Sequence, residues 1–235
     1  MTKTQFGVDY FENKTFETAG LSYSASVGLF VPNSYYVYAG APFLTGNVRG
    51  LSSNELGNPF IGGEVRLFNI EQAEVWVNGL AKFSRPGAEI AAHHDTYRPG
   101  GEIRFTSGRF FGSMGGGYSI RDNEEDQRVD VGDVVDAEFM LGRKIFQRWA
   151  IFGKLTWYRA YGVRMGDVVF ARTSEWAGFA PGVRYRLFGG VDLINSITFP
   201  ILQTQSTQET EVALWDIGYP RVSEITWNTE LGVQF

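Results

Sequence analysis

The ionisable side chains fall into three arrangements with different chemical reach. His93-His94-Asp95 contains both histidines of the chain. Neighbouring residues on an extended chain point to opposite sides, so the pair can share one metal ion only if the backbone turns there. A hydrolytic role for either imidazole needs a nucleophile beside it, and no serine lies within two residues of either histidine. Asn123-Glu124-Glu125-Asp126 is a run of carboxylates without the ligand spacing of an ordered calcium loop, which reads as a solvated acidic loop. The third arrangement is the largest: Glu64, Arg66, Lys82, Arg104, Glu138, Lys154, Arg184, Arg186 and Glu230, with Glu74, Asp136 and Lys144 beside them. Each occupies the polar phase of a segment that alternates apolar and polar residues. Charges of both signs on one shared face can do two things. They can tie neighbouring strands together as salt bridges, or they can line an aqueous path with weak ion selectivity. No catalytic residue, metal ligand or cofactor is expected.

The elements that would carry these charges are strands. The clearest is the last, Glu224 to Phe235, where Ile225, Trp227, Thr229, Leu231, Val233 and Phe235 share one face and Glu224, Thr226, Asn228, Glu230, Gly232 and Gln234 the other. Period two means one greasy face and one polar face. The same pattern recurs along Gln5–Tyr10, Leu21–Val31, Tyr35–Phe43, Ile61–Leu67, Glu74–Phe83, Ile103–Thr106, Gly112–Ser119, Val135–Gly142, Trp149–Tyr158, Ala177–Leu187 and Val191–Ile201. The turn between the sixth and seventh of these lies anywhere from Ser107 to Ser113 on pattern alone, and Arg109 fits neither face. Connections alternate short and long. Short turns are expected at Pro32–Ser34, Asn69–Gln72, Phe146–Arg148 and Phe188–Gly190, and loops at about Thr45–Asn58, Arg85–Gly101, Arg121–Asp133 and Gly162–Glu175. Aromatic residues crowd both ends: Tyr35, Phe68, Trp149, Phe188 and Phe235 by the short turns, and Tyr10, Phe43, Phe83, Trp157 and Trp176 by the long loops.

Composition leaves these strands two environments. The 235 residues suit a single all-β domain over 1–235, with 29 glycines, 15% aromatics and no cysteine. No apolar run approaches the ~20 residues of a membrane helix, and mean hydropathy is slightly negative. A soluble barrel would turn its apolar set inward; a membrane barrel turns it toward lipid and averages to the same hydropathy. Alternation alone does not distinguish the two. About twelve strands, an even number, together with the loop asymmetry and the two aromatic belts, favour lipid. The formal net charge of −5 argues against a nucleic-acid partner. Met1-Thr2-Lys3 is followed by no apolar stretch, so the chain reads as a mature domain with a new start Met and no signal peptide.

The final amphipathic strand closing on Phe235 resembles the C-terminal signal of bacterial outer-membrane β-barrels. Glu55-Leu56-Gly57-Asn58-Pro59-Phe60-Ile61-Gly62-Gly63-Glu64-Val65-Arg66-Leu67 and Gly182-Val183-Arg184-Tyr185-Arg186-Leu187 resemble the outer-membrane channel family of meta-pathway phenol-degradation-like transporters, with Asn58 where Asp is expected. These resemblances imply an antiparallel up-and-down transmembrane barrel with short periplasmic turns and long extracellular loops. They imply a porin-like passive channel for small molecules, hydrophobic or aromatic ones among them. Its partners would be outer-membrane lipids and lipopolysaccharide, the solute, and the barrel-assembly machinery acting through the strand that ends at Phe235. Two other readings remain: an outer-membrane enzyme of the lipase or deacylase type, and a structural or adhesive barrel with a plugged lumen.

Overall fold

The computed structural model describes residues 2–13, 18–31, 34–48, 51–85, 94–122, 129–130, 132–162, 164–165, 168–169, 173–188, 191–204 and 225–234. Among them sixteen strands form: β1 (Thr2–Asn13), β2 (Thr18–Val31), β3 (Tyr35–Val48), β4 (Leu51–Leu56), β5 (Phe60–Ile70), β6 (Ala73–Lys82), β7 (Asp95–Ser107), β8 (Phe110–Asp122), β9 (Val129–Asp130), β10 (Val134–Lys144), β11 (Trp149–Ala160), β12 (Arg164–Met165), β13 (Val168–Val169), β14 (Ser174–Phe188), β15 (Val191–Gln203) and β16 (Ile225–Gln234). Twelve of them close into one antiparallel ring, in the order β1-β2-β3-β5-β6-β7-β8-β10-β11-β14-β15-β16 and back to β1. The seam between β1 and β16 runs in register from Lys3–Gln234 to Glu12–Ile225. Closure leaves the ring without an edge, and in lipid an edge would strand its peptide groups unpaired.

The register decides what alternation could not. Ile103, Met114, Phe139, Leu155, Phe179 and Phe199 are cross-strand partners in one unbroken row over β7, β8, β10, β11, β14 and β15. All six are exposed. Val27, Val37, Val65, Val77, Val183 and Ile197 share that outer face and are exposed too. Leu21 and Leu231 are half-buried, and Leu231 pairs with the exposed Phe6. An apolar band continuous across six strands is far larger than the patches water-soluble monomers leave open. The other face carries the buried aromatic side chains Tyr36, Trp76, Tyr158 and Trp176. The apolar set therefore faces lipid and the mixed set faces the lumen.

Several expectations shift. Thr45–Asn58 is largely strand: β3 continues to Val48, and β4 folds back along it from Phe43–Leu56 to Val48–Leu51. This hairpin is rich in Gly, Asn and Ser and carries no apolar alternation, so its pattern resembles a loop. β7 begins at Asp95, inside the stretch expected to be loop to Gly101, because Pro99 and the adjacent glycines interrupt the period. The undecided turn is Ser107–Phe110, with Gly108 at φ 58° in the left-handed region that glycine enters freely. Arg109 sits in that turn, where it belongs to neither face. Among the described residues a second short turn, Glu71-Gln72, also holds a left-handed residue, with Glu71 at φ 46°. Trp176, expected in the long-loop belt, is instead buried inside the barrel and stacked on Tyr158 with centroids 5.2 Å apart. It shares the phase of Gly178 and Ala180. Phe235, His93 and the 123–126 acidic run lie outside the described residues.

Candidate functional site

The inner face is assembled in rows by the strand register. One row runs Arg66, Trp76, Glu102, Gly115, Glu138, Thr156 across β5, β6, β7, β8, β10 and β11. A neighbouring row runs Glu74, Arg104, Ser113, Met140, Lys154, Ala180. Charges two residues apart on a strand face the same way, and partners on adjacent strands lie within reach, so opposite signs meet. Arg104 of β7 donates to Glu64 of β5 at 3.2 Å and 2.5 Å and to Glu102 at 2.8 Å. Its guanidinium also lies 4.7 Å from the Trp76 ring centre, a cation–π contact. Glu74 accepts from Arg66 and from the Trp76 indole, each at 3.0 Å. The result is one polar network spanning β5, β6 and β7. On the adjoining wall Lys154 pairs with Glu138 at 3.0 Å.

Each residue expected from the sequence has a place on this face. Lys82 stands level with Phe60 and Thr96. Glu230 accepts from Gln5 at 2.5 Å across the seam. Arg184 and Arg186 both donate to Asp192 of β15, Arg186 at 3.2 Å. A carboxylate near this pair is an electrostatic requirement, and Asp192 meets it. Asp192 was overlooked because it directly follows the short turn and Val191, where the face is hardest to assign. Arg98 was missed for a related reason, since its segment read as loop. It donates to Asp136 at 2.7 Å through Nε and again through Nη2. To do so it passes over Gly117 of the intervening strand β8, where a Cβ would fall 2.6 Å from the guanidinium carbon. Glycine at 117 is the signal that makes this cross-strand reach possible.

The two ends of the barrel differ. At the long-loop end, on the β10–β11–β14 side, Val134, Tyr158, Ala160 and Trp176 pack as a buried cluster. At the short-turn end a cavity of about 420 Å³ opens among β7, β8, β10, β11, β14 and β15. Its lining includes Arg104, Lys144, Arg148, Arg184 and Arg186, with Glu102 and Asp192 as its carboxylates. No group of three His, Asp or Glu side chains among the described residues is placed to hold a metal ion. His94 is buried.

A closed antiparallel ring of twelve strands, apolar outside and charged within, defines the chain as a barrel of the outer-membrane porin fold. It is similar to the NanC porin over the whole of both chains, with a TM-score of 0.61 and 10% identity. It is similar to the KdgM porin over 99% of each chain, with a TM-score of 0.58 and 6% identity. The KdgM porin in complex with disordered oligogalacturonate superposes with a TM-score of 0.57 at 5% identity, covering 98% of this chain and 99% of that one. At such identities the likeness is one of fold. No family model matches the sequence, and no curated protein matches it.

Proposed function

We propose that this chain is a passive channel of a bacterial outer membrane. It would pass small molecules, hydrophobic or aromatic ones among them, with the short turns facing the periplasm. The single observation that carries the reading is the inner face: mixed, mutually paired charges on a wall sealed on all sides, opening into a cavity at one mouth. Such a wall keeps water and solute away from lipid without strong selection by sign. The resemblance of Glu55–Leu67 and Gly182–Leu187 to the phenol-degradation-like transporters supports the solute class. Lumen-lining roles are assigned to Glu64, Arg66, Lys82, Arg104, Glu138, Lys154, Arg184, Arg186 and Glu230. Lipids, lipopolysaccharide and the barrel-assembly machinery are the proposed partners of the outer face and the final strand.

The test is the Arg184→Ala/Arg186→Ala double variant in a salt gradient. Two guanidiniums about 7 Å apart are removed, and Asp192 is left without both of its partners. The cation-to-anion permeability ratio should rise by roughly twofold or more. An unchanged reversal potential would remove the pair from the permeation path. The packed cluster of Val134, Tyr158, Ala160 and Trp176 favours the second reading, a structural barrel with its lumen closed near the long loops. The lipase-type reading gains nothing from His94, whose burial withholds it from a lipid substrate at the rim.

A further inference from the structure

The short-turn cavity carries a charge imbalance that the rest of the lumen lacks. Elsewhere among the described inner-face residues Arg66, Arg98 and Lys154 each pair with a carboxylate. Here Arg184 and Arg186 share the single carboxylate of Asp192. Lys144 and Arg148 take no carboxylate partner among the described residues. Arg104 is the one cation of the lining that is fully compensated, by Glu64 and Glu102. Five basic side chains therefore meet two carboxylates around the same space.

The wall between these charges is apolar. Ala150 is the cross-strand partner of Lys144 on one side and of Arg184 on the other. It is buried and short, so the two flanking cations are separated by a shallow greasy step. Phe111 and Met140 extend that step along β8 and β10 within the same cavity. Guanidiniums hold a carboxylate bidentately, while a flat apolar body would rest on Phe111, Met140 and Ala150. About 420 Å³ is within the range of sites that enclose one small organic molecule.

We infer that the short-turn mouth is a binding vestibule for a small aromatic carboxylate, held by the excess positive charge of Lys144, Arg148, Arg184 and Arg186 over the one carboxylate of Asp192. This deepens the channel reading and rests on it for the route by which the solute arrives.

Binding is measured by calorimetry on the full chain folded in detergent, which does not require conduction. The probes are benzoate, acetate, inorganic phosphate and benzyl alcohol. Benzoate should bind at least roughly tenfold more tightly than each of the other three. Lys144→Gln/Arg148→Gln should weaken benzoate by roughly tenfold. Both side chains are exposed and make no ion pair among the described residues, so the variant keeps the fold, checked by its heat-dependent mobility on a gel. Equal binding of benzyl alcohol would overturn the role of charge. Equal binding of acetate or phosphate would overturn the role of the apolar wall. Unchanged benzoate affinity in the double variant would overturn the site. Benzoate binding by a protein that never conducts would leave the vestibule standing and remove the channel, so the two failures are distinguishable.

Discussion

Gly117 matters for the side chain it does not have. Arg98 lies across it to reach Asp136, a carboxylate that is almost fully buried. An added methyl at 117 displaces the guanidinium and leaves Asp136 charged and unpaired, and removing one partner of a buried pair is costly. Gly117→Ala is expected to lower stability by about 2 kcal/mol, read from urea unfolding in detergent. Asp136→Asn should cost a similar amount, and the two changes together no more than one of them, because both break the same contact. Full additivity would show that Arg98 and Asp136 do not act as a pair. Glu71 offers the opposite case. Its φ of 46° places a residue with a Cβ in the left-handed region, and Glu71→Gly should stabilise the β5–β6 turn by about 1 kcal/mol. A loss of stability would mean that the Glu71 side chain contributes more than its backbone conformation costs.

At the scale of strands, phase governs everything. A spin label at Val65, Val77, Leu155 or Val183 should be relaxed by lipid-soluble oxygen and shielded from an aqueous nickel reagent. A label at Glu64 or Thr156, one step out of phase, should show the reverse. The reverse pattern at most outer sites would place the apolar set inside. Leu155→Arg should cost about 2–4 kcal/mol if the residue lies near the bilayer midplane, measured against Thr156→Arg on the inner face. Phase was legible in the sequence wherever a strand has one apolar face, which is why the polar-phase charges could be named from residues alone. It was not legible where the chain leaves lipid. The β3–β4 hairpin has polar residues on both faces, so nothing in its pattern separates strand from loop. In β7, Pro99 and the paired glycines erase the alternation, and Arg98 was lost with it. Trp176 was misplaced because aromatic type suggested the belt while its parity with Gly178 pointed inward. The pairing of charges was only partly readable, since it depends on register between strands and not on order within one.

The whole molecule is a wall with two sides and two unlike ends. Closure of β1 on β16 makes the wall continuous, and the exposed apolar row makes lipid its outer solvent. The inner charges are mostly neutralised by each other, so the barrel interior adds little net field except at the basic short-turn mouth. Conduction should therefore be weakly selective and asymmetric, with the current depending on the side from which a bulky anion is added. The most direct measurement is single-channel recording of the refolded protein in a planar bilayer. Discrete, roughly ohmic steps in potassium chloride are expected, with a modest preference between cation and anion. A folded, inserted protein that gives no steps would contradict the channel and leave a closed structural barrel in its place.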